Sequence, residues 1–155
     1  MKLLILGASG DVGNAVTREA LSRGHQVTAC ARSIPEHPPE SGAQYAALDV
    51  TRDREKLREL MALHDAVISA LRPAAGQEAS LPDLTRAVLH AAAASGTPVY
   101  ITGGAATLEI GDGTSHTVLS APDFLPDAVR PIAEACAAQE ALLNSSRGAD
   151  WICLR

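Results

Sequence analysis

Short apolar runs alternate with longer amphipathic segments along the whole chain. The apolar runs have the length of strands and occupy residues 2–6, 26–30, 44–47, 66–70, 99–102 and 151–154. Between them, apolar residues recur at helical spacing over 11–23, 52–61, 81–94 and 126–147. An alternation of strands and helices predicts an α/β fold in which helices cover both faces of a parallel sheet.

Right-handed connections between parallel strands favour a doubly wound Rossmann fold with strand order 3-2-1-4-5-6. The 155 residues suit one domain with a sizeable core, and no internal repeat is visible. In such a sheet the ligand binds at the carboxyl ends of the first and fourth strands, where the direction of winding reverses. We therefore expect a single domain over 1–155 with its site at that edge.

Three glycines follow the first strand at a spacing typical of a dinucleotide-binding turn. The first permits a tight turn, the second lets the backbone approach a pyrophosphate, and the third lets the next helix pack closely. The alternative is an ordinary strand-to-helix turn. The position of the motif near the start of the chain, where the first strand of a Rossmann fold would lie, makes this alternative less favoured. The predicted diphosphate turn consists of Gly7, Ser9, Gly10, Asp11, Val12 and Gly13.

The residues after the second strand predict which cofactor is preferred. An acidic residue at this point would bind the adenosine 2′-hydroxyl, but the chain has Arg32 and Ser33. A guanidinium can form a charge-assisted bond to a 2′-phosphate, and a hydroxyl can add a donor. We therefore expect NADP(H) in preference to NAD(H), the alternative being that Arg32 is a solvated surface residue.

The ends of the third and fourth strands predict further cofactor contacts. Asp49 and Val50 would lie beside the adenine, where the carboxylate could accept from the exocyclic amine; alternatively, Asp49 caps the next helix. Ser69, Ala70 and Leu71 would pass along the cofactor's ribose and diphosphate.

Thr102, Gly103 and Gly104 follow the fifth strand, where the nicotinamide should end. The Thr102 hydroxyl is our catalytic candidate because it could orient the carboxamide or a substrate carbonyl. The alternative is a strand-end threonine that bonds to the backbone. A long irregular segment, 103–125, comes next, and segments of this kind are usually functional or mobile.

The absence of certain motifs limits the reactions and metal sites that we expect of this chain. Carbonyl reduction usually needs a proton donor, but neither Tyr45 nor Tyr100 begins a Tyr-x-x-x-Lys motif. His116 is the remaining candidate donor, and a solvent-exposed histidine is the alternative there. The cysteines and histidines show no metal-ligand spacing, so we predict no metal site.

The net charge of −5 argues against a nucleic-acid partner, because such surfaces are normally basic. No apolar run approaches the ~20 residues of a membrane-spanning helix, so we expect no membrane partner and a cytoplasmic protein. A small-molecule acceptor is the expected partner.

The combined motifs resemble those of the atypical short-chain dehydrogenase/reductases. They are Gly-Ala-Ser-Gly-Asp-Val-Gly at 7–13, Ala-Arg-Ser at 31–33, Leu-Asp-Val at 48–50, Tyr-Ile-Thr-Gly-Gly-Ala at 100–105 and Asp-Trp-Ile-Cys-Leu-Arg at 150–155. Within that group the chain is most similar to the NAD(P)H-binding proteins of the NADH-flavin-reductase-like kind, which are related to biliverdin reductase B and to NmrA-like proteins.

The resemblance implies NADPH binding and hydride transfer to a flavin, a quinone or a similar small acceptor, without a tyrosine acid. A non-catalytic NADP sensor of the NmrA-like kind is the second hypothesis, and an epimerase- or dehydratase-like enzyme is the third. Members often carry Tyr-Lys where this chain has Asp127-Ala-Val-Arg130, which puts any role of that pair in doubt. Members also continue beyond the point that corresponds to Arg155, so we expect 1–155 to lack part of the substrate side.

Overall fold

The described residues form one six-stranded, all-parallel sheet. The computed structural model describes residues 1–34, 36, 39–111 and 113–155. The strand order is β3-β2-β1-β4-β5-β6, as the sequence predicts. The strands are β1 (Lys2–Leu6), β2 (Gln26–Ala31), β3 (Gln44–Ala47), β4 (Ala66–Ser69), β5 (Val99–Thr102) and β6 (Trp151–Leu154).

Four α-helices in the described residues connect the strands: α1 (Asp11–Ser22), α2 (Arg54–Ala62), α3 (Leu81–Ser95) and α4 (Arg130–Ser145). Single 3-10 turns precede α3 at Glu78–Ser80 and α4 at Asp127–Val129. The predicted start of the last helix at 126 was therefore too early, since Pro131 occupies the first turn of the α-helix proper.

The second helix also begins later than predicted, at Arg54 and not at residue 52. The N-cap position of α2 belongs to Asp53. The Asp49 carboxylate accepts bonds from the Thr51 and Arg52 backbone N–H groups, at 3.0 and 3.3 Å. These bonds hold residues 49–52 in a turn and so delay the helix until Arg54.

The two faces of the sheet are covered unequally. On one face Leu4, Leu6 and Ile101 are buried under α2, α3 and α4, together with Leu57 and Leu143. On the opposite face Leu3, Ile5, Val27 and Ala29 pack against α1 through Ala20, Val16 and Leu21. The alternation follows from the period of two in a strand, which sends successive side chains to opposite faces.

The α1 side of β5 and β6 is open in the part of the chain that the structure describes. Tyr100, Ile152 and Leu154 alternate with inward-facing neighbours and are 37%, 50% and 55% exposed. The packed core therefore lies mainly between the sheet and the three helices of the other face.

The glycine turn is fixed by close approaches between backbones. Gly7 has φ +80°, and a Cβ atom built on it would lie 2.5 Å from the Ala70 carbonyl oxygen. A Cβ atom on Gly13 would lie 2.2 Å from the Gly7 carbonyl oxygen. Side chains at these two positions would force β1 away from the end of β4 and α1 away from β1.

We predict that Gly13→Ala lowers the free energy of unfolding by about 3 kcal/mol, because the methyl group meets backbone that cannot move aside. Gly10→Ala is the matched control: its Cβ meets only the Gly7 oxygen, at 3.5 Å, and its φ is −83°. We expect Gly10→Ala to stay within about 1 kcal/mol of wild type in urea unfolding. Equal losses in the two variants would contradict this account of the turn.

Candidate functional site: a cleft at the carboxyl edge of the sheet

A cleft of about 900 Å³ opens beside the glycine turn, at the carboxyl ends of β1, β2 and β4. Its volume falls in the usual range for small-molecule and cofactor sites. The lining includes eight of the residues predicted to contact a cofactor: Gly7, Ser9, Gly10, Arg32, Asp49, Val50, Ala70 and Leu71. The structure therefore brings the predicted diphosphate, ribose and adenine positions to one surface.

The remaining predicted residues lie outside that lining. Asp11 borders a smaller neighbouring cleft of about 510 Å³, which shares Ser9 and Gly10 with the first. Gly13 is buried beneath the turn, whereas Val12 and Ser33 are exposed. Ser69, Thr102, Gly103 and Gly104 do not line either cleft.

The turn is held by hydrogen bonds to the neighbouring strand. The backbone N–H groups of Gly7 and Ala8 both donate to the Cys30 carbonyl of β2, at 3.0 Å. The Gly10 N–H group donates to the Gly7 carbonyl, at 3.1 Å, and the Gly10 carbonyl accepts the first helical bond from Asn14. The helix start is thereby aimed at the cleft with N–H groups that have no partner inside the helix.

The Cys30 thiol lies below this turn and is fully buried. Burial raises the pKa of the thiol to about 11, against a smaller opposing effect of the Lys56 charge. The side chain is therefore a neutral packing group at physiological pH.

Arg32 directly follows β2, lines the cleft and is exposed. Among the described residues, no carboxylate lies within ion-pairing distance of its guanidinium. Its charge is thus available to an anionic group in the cleft.

Asp49 has a local structural role as well as a place in the cleft. Its Oδ1 atom accepts bonds from the Thr51 N–H and hydroxyl groups, at 3.0 and 2.7 Å, and from the Arg52 N–H group. The Thr51 hydroxyl bond is the main cause that lowers the pKa of the Asp49 carboxyl below 3.8. Capping of the turn is thus observed, and this use of Oδ1 leaves Oδ2 with a distant Arg52 contact of 3.9 Å.

The Thr102 hydroxyl donates to the Ser69 backbone carbonyl on the adjacent strand, at 3.2 Å. Next to it, a Cβ atom on Gly103 would lie 2.6 Å from the Cys153 sulfur, and one on Gly104 would lie 2.7 Å from the Cys136 sulfur. Close packing against these two thiols therefore explains why residues 103 and 104 are both glycine. No pattern in the sequence signals these contacts, because they join positions far apart in the chain.

Helices α2 and α3 contribute a part of the cleft that sequence reasoning missed. The outer wall carries the cationic and polar side chains Arg54, Arg58, Arg86 and His90. Arg58 and Arg86 form ion pairs with Glu55 and Asp83 respectively. Which helix faces flank the site depends on how α2 packs against α3, and local periodicity does not specify this.

Comparison with known proteins agrees with this geometry. The model of a family described as NAD(P)H-binding matches residues 7–155. The chain belongs to this family. The match begins at Gly7, the first glycine of the turn, directly after β1, and runs through β2 to β6.

Several relatives of this NAD(P)H-binding chain have been described. The uncharacterized protein YwnB of Bacillus subtilis is 33% identical over 125 residues, which are 80% of this chain and 57% of YwnB. The chain therefore spans little more than half the length of that relative.

Two solved structures share the fold over nearly the whole chain. A Streptococcus pneumoniae protein named as a candidate NADH-flavin reductase is 29% identical, with a TM-score of 0.81, over 99% of this chain and 70% of that one. A candidate epimerase from Bacteroides thetaiotaomicron is 27% identical, with a TM-score of 0.80, over 98% and 68% respectively.

The described residues contain neither a membrane-spanning helix nor a metal-binding cluster. No helix there is long and apolar enough to cross a membrane. No group of three or more histidine, cysteine or acidic side chains is placed to hold a metal ion.

Stability should depend on pH through Asp49. Because its pKa is lowered in the folded state, the contribution is complete above the ordinary value of 3.8 and is lost as the pH falls through the lowered folded value. We predict that Asp49→Asn is less stable than wild type near neutral pH and that the difference shrinks below pH 3.8. Urea unfolding at both pH values tests this, with Asp127→Asn at an exposed carboxyl as the control; a pH-independent difference would contradict it.

Proposed function

We propose that the chain binds NADP(H) in the large cleft and transfers a hydride from NADPH to a flavin, a quinone or a similar small acceptor. The observation that carries the proposal is the glycine turn itself. Gly10 is exposed at the cleft, and its Cβ position is filled by no atom closer than the Gly7 oxygen, at 3.5 Å. That space, facing the start of α1, fits a diphosphate.

The charge at the end of β2 supports NADP(H) over NAD(H). Arg32 has no carboxylate partner in the described residues, and Ser33 beside it is exposed. An unpaired guanidinium with an adjacent hydroxyl suits a 2′-phosphate, whereas an acidic residue would repel one. Asp49 and Val50 would border the adenine, and Ala70 and Leu71 would border the ribose and diphosphate.

The protein's contribution to catalysis would be mainly positioning. The nicotinamide, when bound, supplies the hydride, and the chain supplies binding, orientation and exclusion of water. Neither a tyrosine nor a lysine lines the cleft in the part of the chain described. An acceptor that is reduced at a ring nitrogen does not need a tyrosine acid, so this lining favours a flavin-like acceptor over carbonyl chemistry.

The same lining also favours a second candidate, a non-catalytic NADP sensor. Thr102, our catalytic candidate, directs its hydroxyl at the Ser69 carbonyl rather than into the cleft. A dinucleotide site without a committed proton donor is what a sensor requires. An epimerase-like activity has less support, since the sequence has no Tyr-x-x-x-Lys motif to supply its acid–base pair, and neither residue type lines the cleft among the described residues.

The first experiment is a fluorescence titration with NADPH and with NADH, followed by addition of FMN while the nicotinamide absorbance is recorded. We expect tighter NADPH binding and loss of absorbance once FMN is present. Binding without oxidation, repeated with FAD and a quinone, would favour the sensor. Failure of both nucleotides to bind would refute the cofactor assignment.

Arg32→Glu tests the cofactor preference. We expect the ratio of NADPH to NADH affinity to fall by about tenfold or more, because a charge-assisted bond becomes a repulsion. Arg147→Glu is the control, since it makes the same charge change in a residue that borders neither cleft. An unchanged affinity ratio in Arg32→Glu would show that Arg32 does not contact the adenosine end of the cofactor.

A further inference from the structure

Three distant segments of the chain meet at the Glu140 carboxylate on α4. One oxygen accepts a bond from the Thr107 hydroxyl, and the other accepts from an Arg155 guanidinium nitrogen at 2.7 Å. The same Arg155 nitrogen donates to the Thr107 hydroxyl oxygen, at 3.3 Å. The Glu140 side chain is 23% exposed and that of Arg155 is 37% exposed, so the cluster is partly shielded from water.

This cluster anchors the far end of the segment that leaves β5. At the near end, the Thr102 hydroxyl donates to the Ser69 carbonyl, and the Gly103 N–H group donates to the Leu154 carbonyl at 2.7 Å. Residues 103–107, which we call the β5 exit segment, are therefore fixed at both ends.

The middle of the β5 exit segment has little freedom of its own. Gly103 and Gly104 rest on the sulfur atoms of Cys153 and Cys136, and the Ala106 side chain is buried. Cys136 lies on α4, one turn before Glu140. A shift of the Thr107 anchor would thus move the segment along α4, against which Gly104 lies.

We infer that Glu140 is a positioning residue for the nicotinamide end of the site, acting through Thr107 on the β5 exit segment. The inference rests on the proposed function, because it takes the dinucleotide to run from the glycine turn past β4 towards β5. β4 and β5 are neighbours in a parallel sheet, so their carboxyl ends reach the same edge. Glu140 itself does not line the cleft.

If the Glu140 cluster served only stability, its loss would weaken the binding of all ligands equally. The loss of a positioning residue would instead weaken the binding of ligands that carry the nicotinamide. The test therefore compares the affinity for NADPH with that for 2′,5′-ADP, which lacks the nicotinamide. Glu140→Gln is the variant, and Glu134→Gln, at an exposed position on the same helix, is the matched control.

We expect Glu140→Gln to bind NADPH about tenfold more weakly, while its affinity for 2′,5′-ADP stays at the wild-type value. The reason is that an amide has one acceptor oxygen, so it cannot accept from both Thr107 and Arg155 on separate oxygens as the carboxylate does. Glu134→Gln should match wild type for both ligands. Equal losses for the two ligands, or no loss for either, would overturn the positioning role.

Thr107→Val supplies an independent test that removes one hydroxyl and keeps the volume. We expect it to show the same selective loss, and the double variant Thr107→Val, Glu140→Gln to show less than the sum of the two. Additive losses would refute the route through Thr107. If Glu140→Gln failed to fold, Thr107→Val alone would decide, and an absence of selective NADPH loss in it would refute that route. If wild type binds neither NADPH nor 2′,5′-ADP, the proposed function fails with it; if wild type binds both and the variants do too, only the positioning role fails.

Discussion

The close contact between the glycine turn and its neighbours is the constraint on which the site depends. The Gly7 backbone approaches the Ala70 carbonyl so closely that a Cβ atom would lie 2.5 Å from it, and α1 rests on the Gly7 carbonyl at Gly13. These contacts join β1, β4 and α1 at one point. The start of α1 consequently faces the crevice where the sheet changes its direction of winding.

The cleft combines this rigid turn with cationic side chains from three other elements. Arg32 directly follows β2, while Arg54 and Arg58 lie on α2 and Arg86 on α3. Arg58 and Arg86 are paired with acidic partners one turn away, whereas Arg32 and Arg54 have no carboxylate within ion-pairing distance in the described residues. Among these four arginines, the positive charge that a bound anion can use therefore lies at the end of β2 and at the start of α2.

The end of the site beside β5 is held together by a different set of contacts. Around Gly103 and Gly104 the packing is against thiols, and the surrounding bonds run from Thr102 to β4 and from Thr107 to α4. Burial is the main cause that raises the pKa of both Cys136 and Cys153, which keeps these thiols neutral. This end is built from contacts between segments, whereas the diphosphate end is built from one short stretch of chain.

That difference explains which features could be predicted from the sequence and which only the tertiary structure shows. The sequence by itself determined the six strands, their order and the turn at Gly7, Gly10 and Gly13, because strand length, helical periodicity and handed connections are local properties. For Asp49 and for Thr102 the sequence left two alternative roles open. Only the tertiary structure showed that Asp49 caps a turn through Thr51, that Thr102 bonds to Ser69, and that α2 and α3 wall the cleft. The Asp49 bond is local, so the sequence could offer it as an alternative but could not decide it. The Thr102 bond and the walls of the cleft join positions far apart in the chain, and no local spacing encodes such contacts.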